Sequence, residues 1–124
     1  MPDAPHLPAP AQIDAYGNSG FRFGGLSHRG SLLCLPDGIW AWPVTDVREI
    51  TTLSLEMVFA QAADLHVFIV GAGRDPWRIS DKLRQRFRDT GISVDSMTTG
   101  AAVRTYNILL AENRRVGAGL IAVD

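Results

Sequence analysis

Cysteine is nearly absent from this sequence, which has one, Cys34, among 124 residues. A single cysteine excludes a disulfide within the chain. A cysteine-based zinc site is excluded as well, because such sites need several thiolates or histidines at close spacing, and the three histidines lack that spacing. We therefore expect no metal centre and no cofactor. A lone cysteine is also typical of a reducing cytoplasm, which is the predicted location.

Long apolar runs and an excess of charge of one sign are missing too. The longest apolar stretch, residues 67–72, is far shorter than the roughly 20 residues needed to span a bilayer. The first residues have neither the basic cluster nor the apolar segment of a secretory signal. A formal net charge of −1 gives no overall electrostatic reason for binding to nucleic acid or to a membrane surface. We therefore expect no nucleic-acid partner and no membrane insertion.

What the sequence does have is the composition of one globular domain. Hydrophobic residues make up 46% of the chain and charged residues 20%, which is ordinary for a protein that buries a core. Repeated prolines within residues 1–12 predict an extended, flexible tail there. Residues 13–124 are expected to form a single domain.

Turn residues divide the first half of this domain into antiparallel strands. Glycine and asparagine at residues 17–20 predict a turn, because both tolerate a positive φ. One strand is expected over residues 26–35. A Pro-Asp-Gly turn signal follows at residues 36–38, and a returning strand is expected at residues 39–42. These two strands should pair as a hairpin.

In the second half, the apolar residues adopt helical spacing. Three amphipathic helices alternate with three strands, and this order predicts parallel pairing with right-handed crossovers. Thr52 or Ser54 is expected to cap the first helix, Gly91 to end the second and Thr99 to cap the third. The expected helices are residues 54–63, 80–90 and 99–112, and the expected strands are residues 65–70, 92–97 and 116–123.

Two glycine-containing loops should meet at one edge of the parallel strands. In open α/β sheets, ligands bind beyond the carboxyl ends of the strands, and a helix N-terminus offers N–H groups to an anion. A dinucleotide fingerprint fails here, because its third glycine would fall at Pro76. The competing interpretation is that Thr99 only caps its helix. The candidate residues for a small anionic ligand are Gly71, Gly73, Arg74, Thr98, Thr99 and Gly100.

No set of side chains in the sequence predicts catalysis. Cys34 lies among leucines in a predicted strand, which indicates a buried and inert thiol. The histidines and acids form no evident combination of nucleophile, base and orienting group. The sequence therefore assigns no catalytic residue. It leaves enzymatic activity undecided, with a non-catalytic protein as the favoured interpretation.

One face of the third helix has the composition of a contact surface. Arg104, Ile108 and Ala111 lie opposite the side that should face the core, and interfaces are enriched in arginine and apolar side chains. We expect this face, with the flanking basic residues Arg84 and Arg88, to bind a protein partner. The alternative is that Ile108 packs inside the domain.

The segment around this helix is the most distinctive part of the sequence. Residues 98–116 read TTGAAVRTYNILLAENRRV, residues 13–17 read IDAYG, and a Gly-x-Gly follows the central strand. These features resemble a family of small α/β proteins of unknown function. That family includes the mitochondrial respiratory complex I assembly factor 3 and an adipogenesis-associated human protein. The resemblance covers residues 12–123.

The resemblance implies a single three-layer α/β domain with a mixed sheet and N-terminal β-hairpins. It implies no agreed enzyme reaction, and the mitochondrial members suggest a protein-binding role in assembling respiratory complex I. The chain lacks a transit-peptide composition, which is typical of a bacterial relative. The predicted function is a non-catalytic interaction domain, with assembly of a membrane complex such as complex I as its role. The alternative is a protein or enzyme that binds a small anion at the strand-end loops.

Overall fold

Residues 4–124 are described by the structure, which is a computed structural model. Five strands come first, and helices then alternate with three further strands. Within residues 4–124, no helix combines the length and the apolar character needed to cross a membrane. The strands are β1 (Ala15–Gly17), β2 (Gly20–Phe23), β3 (Leu26–Arg29), β4 (Ser31–Leu35), β5 (Gly38–Trp42), β6 (Val67–Gly71), β7 (Ser93–Met97) and β8 (Val116–Leu120). The helices are α1 (Glu56–Ala60), α2 (Asp81–Thr90) and α3 (Thr99–Ala111), with short 3₁₀ turns at Val47–Glu49 and Ala62–Asp64.

Five of the strands form a mixed central sheet in the order β5-β4-β8-β6-β7. β6 runs parallel to both of its neighbours, β7 and β8, whereas β4 is antiparallel to β8 and to β5. The predicted parallel pairing of the C-terminal strands and the predicted β4–β5 hairpin are thus confirmed. The other strands, β1, β2 and β3, form a separate antiparallel sheet, called the small sheet below.

Both faces of the central sheet are covered, which produces three layers. On one face, α2 packs through Leu83 and Phe87 onto a core that contains Phe68. On the other face, α3 and the small sheet pack onto a core that contains Ile69 and Tyr106. Neighbouring residues of a strand point to opposite faces, so Phe68 and Ile69 belong to different cores. The predicted fold class, a three-layer α/β domain with a mixed sheet, is confirmed.

The strand predicted over residues 26–35 is in fact two strands that belong to different sheets. β3 ends at Arg29, β4 begins at Ser31, and Gly30 between them has a φ of 106°. Side chains with a Cβ rarely adopt that conformation, so the glycine allows the chain to leave the small sheet and enter the central one. The expectation of one continuous strand was wrong because both sides of Gly30 have strand composition.

The helix predicted over residues 54–63 is shorter than expected. α1 covers only Glu56–Ala60 and has no side-chain cap, so the predicted caps Thr52 and Ser54 are wrong. Ser54 instead exchanges hydrogen bonds with Thr51. The Thr51 N–H donates to Ser54 Oγ (2.9 Å), and the Ser54 N–H donates to Thr51 Oγ1 (3.2 Å). The hydroxyls therefore close a turn ahead of the helix rather than extending it.

α2 matches its prediction closely, because both of its ends are determined by local chemistry. The Ser80 hydroxyl accepts a hydrogen bond from the Leu83 N–H (3.2 Å) at the start of the helix. Gly91 ends it with a φ of 78°, the left-handed conformation that glycine favours.

The glycines of β8 allow large side chains to pack directly on the strand. A Cβ at Gly119 would lie 2.8 Å from the Trp42 ring, and one at Gly117 would lie 3.3 Å from Phe68. Both aromatic residues are buried. The small residues of β8 therefore leave room for the core between the central sheet and its α1–α2 layer.

Part of the predicted tail lies against the edge of the central sheet. The His6 N–H donates to the Ile39 carbonyl (2.8 Å), and the Ile39 N–H donates to the Leu7 carbonyl (2.9 Å). The first three residues lie outside the described part of the chain. The division into a flexible tail and one domain stays a prediction.

Candidate functional site

The two strand-end loops predicted to lie together are joined through Thr99. Its buried hydroxyl accepts a hydrogen bond from the Gly73 N–H (3.0 Å) and donates one to the Ile121 carbonyl (2.7 Å). The Thr99 N–H also donates to the Gly73 carbonyl (2.9 Å). The prediction that Thr99 caps α3 was wrong, because the residue before the helix is Thr98, whose side chain makes no cap hydrogen bond. Thr99 ties β6, α3 and the end of β8 together.

Two of the candidate glycines in these loops mark places where other groups approach closely. A Cβ at Gly71 would lie 3.1 Å from both Ala102 and the backbone of Thr99, so the glycine lets α3 pack tightly on β6. A Cβ at Gly100 would overlap the hydroxyl of Tyr16. Both positions are explained by packing, without a ligand.

Arg74 and Gly73 both line a cavity of about 320 Å³. Three carboxylates line the same cavity, those of Asp46, Asp75 and Asp124. The Arg74 guanidinium donates to the backbone carbonyl of Asp124 (2.7 Å). Three acids around one arginine give no geometric support to an anion site, which stays a prediction.

Residues 104–107 form the central motif of α3. Three of their four side chains contact other groups inside the domain. Thr105 Oγ1 donates to the Met97 sulfur (3.4 Å). Tyr106 is buried, with its hydroxyl against the Cys34 thiol. Asn107 binds the backbone of Ile13 on the segment that leads into β1.

Burial makes the Tyr106–Cys34 pair chemically inert near neutral pH. Removal from water raises the pKa of the Cys34 thiol to about 12, and the pKa of the Tyr106 hydroxyl is also raised, mainly by burial. Both groups therefore keep their protons under ordinary conditions. A thiol must ionise to act as a nucleophile, so Cys34 is a core residue.

Arg104, the remaining residue of the motif, is exposed and faces a groove. Within residues 4–124 its side chain makes no hydrogen bond and no ion pair. The groove has a volume of about 470 Å³ and lies between α3 and the segment that enters β1; we call it the α3 groove. It is lined by Asp14, Tyr16, Gly100, Arg104, Asn107 and Ile108, among others.

The apolar side chains of the α3 groove are open to solvent. Ile108 is 53% exposed and Tyr16 is 50% exposed. The alternative that Ile108 packs inside the domain is therefore wrong. Ala111 is exposed as well, one helical turn beyond Ile108, and it is outside the groove lining.

The other two predicted partner-binding residues lie elsewhere. Arg84 and Arg88 are on α2, which packs on the opposite face of the central sheet from α3. They line a separate depression beside β7, and Arg88 donates to the side chain of Gln85 (3.1 Å). The structure does not bring them onto one surface with Arg104, because the two helices cover different faces of the sheet.

Sequence reasoning missed the contribution of Tyr16 to this site. The sequence places Tyr16 in the IDAYG segment that carries the family resemblance, directly before the predicted turn, and assigns it no role, whereas it forms one wall of the α3 groove. Its position depends on Gly100, which leaves room for the tyrosine hydroxyl. Among residues 4–124, no cluster of three or more histidine, cysteine or acidic side chains could hold a metal ion.

Comparison with known proteins identifies the family of the chain. The model for proteins of unknown function named DUF498/DUF598 matches residues 13–121. The chain belongs to this family. The match covers both sheets and all three helices, including the α3 groove, and it confirms the resemblance drawn from the sequence.

Two relatives show how far the likeness extends. An uncharacterized protein of Rhodobacter capsulatus is 32% identical over 120 residues, which cover 97% of this chain and 91% of the relative. The rat protein NADH dehydrogenase (ubiquinone) 1 alpha subcomplex assembly factor 3 is 31% identical over 115 residues, which cover 93% of this chain but 62% of the rat protein. The chain thus spans less than two thirds of that assembly factor.

A solved structure of high similarity comes from Bartonella henselae. That protein, described as an outer membrane protein, is 44% identical and superposes with a TM-score of 0.92. The match covers 96% of this chain and all of the Bartonella protein.

Proposed function

We propose that this chain is a non-catalytic, cytoplasmic interaction domain that helps to assemble a membrane complex such as respiratory complex I. The α3 groove is its proposed partner-binding surface. The family relationship supports the assembly role, because relatives such as the rat protein are named as complex I assembly factors.

The observation that carries the proposal is that Arg104 and the adjacent Ile108 are exposed, whereas the other side chains of residues 104–107 contact groups inside the domain. Thr105, Tyr106 and Asn107 each have a partner within the domain. Arg104 and Ile108 face a groove instead. Arginine and large apolar side chains are typical of the residues that contribute most to protein–protein binding.

Binding is favoured over catalysis by the state of the groups near this surface. The hydroxyls of Thr99 and Tyr106 are engaged in internal contacts. Burial raises the pKa of the Cys34 thiol to about 12, so this group is protonated at neutral pH. The α3 groove offers the guanidinium of Arg104, the phenol of Tyr16, the isoleucine and the carboxylate of Asp14, a set that is better suited to contact than to bond breaking.

The proposal is tested in a strain of the source organism that lacks the gene. We expect less assembled complex I on native gels, and restoration by the full chain. Arg104→Ala combined with Ile108→Ala should not restore assembly. The tagged wild-type chain should purify with complex I subunits, and the loss of a true hot spot should weaken that association by about 30-fold.

A matched control separates surface contact from general effects of substitution. Arg78→Ala with Lys82→Ala removes two exposed groups near the start of α2, on the other side of the sheet, and should restore assembly fully. A further variant, Arg84→Ala with Arg88→Ala, tests the second predicted patch. Normal complex I in the deletion strain, together with no complex I subunit on the tagged chain, would refute the proposal. Fractionation of the same cells tests the cytoplasmic location.

A further inference from the structure

β7 forms one edge of the central sheet, and part of this edge is unoccupied. The Ser93 N–H donates to the His66 carbonyl (2.9 Å), and the Ala72 N–H donates to the Met97 carbonyl (2.8 Å). Alternate residues of β7, beginning with Ser93, thus bind towards β6. The residues between them direct their main-chain groups away from β6. In the described part of the chain, neither the N–H nor the C=O of Val94 has a hydrogen-bond partner.

A basic depression of about 350 Å³ lies beside this part of the edge, between α2 and β7. Arg84, Arg88 and Val94 line it, and among the described residues no acidic side chain does. Arg84 is half-buried and makes no hydrogen bond or ion pair within residues 4–124, whereas the exposed Arg88 donates to Gln85 (3.1 Å). The two arginines that the structure separates from the α3 groove therefore lie together at a strand edge.

The arginines and the Val94 side chain are on the same side of the central sheet. Val94 pairs with Phe68, and both pack in the core that α2 covers. Asp95 belongs to the opposite face, because neighbouring residues of a strand alternate. Its Oδ1 accepts a hydrogen bond from the Ser96 N–H (2.9 Å), which occupies the next outward donor of the strand. The open part of the edge is thus the part next to the basic depression.

We infer that the edge of β7 at Val94 and the adjoining basic depression, together called the β7 edge site, bind an extended acidic segment of a protein partner. One residue of the segment exchanges two main-chain hydrogen bonds with Val94, as opposed residues of an antiparallel ladder do. Carboxylates on the α2 side of the segment bind Arg84 and Arg88, because a guanidinium matches a carboxylate with two parallel hydrogen bonds. This site is on the other side of the sheet from the α3 groove, so the inference goes beyond the proposed function.

A polypeptide fits the β7 edge site better than a nucleic acid does. A free N–H and C=O on a strand edge match the main chain of an added strand. Single-stranded nucleic acids bind instead through exposed aromatic side chains, on which successive bases stack. Phe87, the aromatic residue in the lining of the depression, is fully buried.

The charges of the β7 edge site disfavour a second copy of this chain as its occupant. Antiparallel pairing of two β7 strands around a two-fold axis would place both α2 helices on one face of the joined sheet. Arg84 and Arg88 of the two copies would then flank the same seam, and like charges that face each other across paired strands are destabilising. An acidic segment removes this repulsion.

The probe for the inference is a phage-displayed library of random twelve-residue peptides. It is selected on the purified full chain with Arg104→Ala and Ile108→Ala, which disables the α3 groove and leaves the β7 edge site unchanged. We expect the enriched peptides to carry a net negative charge. The dissociation constant of the most enriched peptide should rise with salt, because exposed charge pairs are screened. Basic or uncharged peptides, or no enrichment at all, would overturn the inference.

Amide hydrogen exchange, followed by NMR, shows whether the peptide joins the sheet. When the peptide saturates the chain, the Val94 N–H should exchange about tenfold more slowly or less, because a hydrogen-bonded amide exchanges only after local opening. The Tyr16 N–H, on the small sheet, should exchange as in the free chain. An unchanged rate at Val94 would mean that the segment does not add to β7, and the inference would be wrong.

Charge reversal tests the two arginines. Arg84→Glu and Arg88→Glu, made separately, should each weaken binding of the enriched peptide by about tenfold or more, which corresponds to about 1.4 kcal/mol. The matched control, Arg86→Glu, reverses a charge of the same helix on the flank where Arg86 lies over the Phe59 ring, and binding should stay within about threefold of the wild type. Equal losses in all three variants would mean that the peptide responds only to overall charge. Thermal unfolding of each variant checks that it is folded.

The remaining outcomes identify a wrong occupant and separate this inference from the proposed function. If a single-stranded RNA competes at lower concentration than the acidic peptide, the ligand class is wrong. If sedimentation shows a dimer of the free chain that the peptide dissociates, the occupant is a second copy and the inference is wrong. In either case complex I assembly can still depend on Arg104 and Ile108, which the deletion strain measures independently.

Discussion

Asn107 binds both polar atoms of the Ile13 backbone, although the two residues are 94 positions apart. Its Oδ1 accepts from the Ile13 N–H (2.8 Å), and its Nδ2 donates to the Ile13 carbonyl (2.9 Å). The side chain thus imitates the edge of a β-strand. This pair holds the segment leading into β1 on α3, and it thereby positions Tyr16 at the α3 groove.

The Asn107–Ile13 pair should stabilise the fold measurably. Asn107→Ala removes both hydrogen bonds and leaves a part-buried N–H and carbonyl without their partners, so we expect the free energy of unfolding to fall by about 1–3 kcal/mol. Urea unfolding monitored by circular dichroism measures this change. Gln85→Ala, which removes exposed contacts on α2, should cost less than about 0.5 kcal/mol. If both substitutions lower the free energy of unfolding by the same amount, the Asn107–Ile13 pair stabilises the fold no more than an exposed contact does.

Thr99 should matter for stability through its hydroxyl and not as a helix cap. Thr99→Val leaves the Gly73 N–H and the Ile121 carbonyl without their hydroxyl partner in a buried place, which should lower the free energy of unfolding by about 1–3 kcal/mol. Thr99→Ser keeps the hydroxyl and should retain most of the stability. Thr98→Val, at the residue before the helix, is the matched control and should have a small effect. A larger loss from Thr98→Val would favour the capping interpretation.

The buried Cys34 thiol predicts a loss of stability in alkali. Its pKa is raised from 9.0 to about 12, so above pH 9 the unfolded chain releases a proton that the folded chain keeps. The contribution of this group is complete below pH 9 and decreases as the pH rises towards 12, by at most about 1.4 kcal/mol per pH unit. Urea unfolding at pH 8, 9, 10 and 11 measures the slope.

Two controls accompany the alkaline series. Cys34→Ala removes the thiol, so stability should decrease less steeply between pH 9 and pH 10. Because the pKa of Tyr106 is also raised, part of the decrease above pH 10 should persist in this variant. At pH 8 the native protein should react with iodoacetamide far more slowly than the urea-unfolded chain. If the free energy of unfolding falls equally with pH in Cys34→Ala and in the wild type, the Cys34 thiol is not the group that causes the loss.

Local patterns were sufficient to predict the elements whose ends depend on neighbouring residues. α2 is the clearest case, because Ser80 and Gly91 mark its ends within the helix sequence itself. The alternation of helices and strands also predicted the parallel strands. Gly30 was missed for the opposite reason: strand composition continues on both sides of it, and only the positive φ separates β3 from β4.

The candidate site could be predicted only in part, because its contacts join distant segments. Thr99 binds Gly73 and Ile121, which are 26 and 22 residues away, so its sequence neighbours suggested only a cap. The grouping of Arg84 with Arg104 failed because the side of the sheet that a helix covers depends on strand order. The sequence placed Ile108 opposite the core side of α3 but left open whether it packs inside the domain, and the structure shows it exposed.

Gly100 should control partner binding through Tyr16 with little effect on stability. A Cβ at residue 100 would overlap the Tyr16 hydroxyl, and the half-exposed tyrosine can move away. Alanine is a better helix former than glycine, which works against the cost of moving the ring. Gly100→Ala should therefore unfold at about the wild-type urea concentration, yet purify with about tenfold less of the complex I subunits than the wild-type chain does.

A double-substitution cycle shows whether Gly100 acts through Tyr16. Tyr16→Ala removes the ring that forms one wall of the α3 groove, and it should weaken partner binding at least as much as Gly100→Ala does. Residues that act through one contact are not additive, so the double variant should bind like Tyr16→Ala alone. The amount of complex I subunits that purifies with each tagged chain measures partner binding of all four proteins. Additive losses would mean that Gly100 affects the α3 groove independently of the tyrosine, and unchanged binding in Gly100→Ala would mean that the position of the ring does not matter.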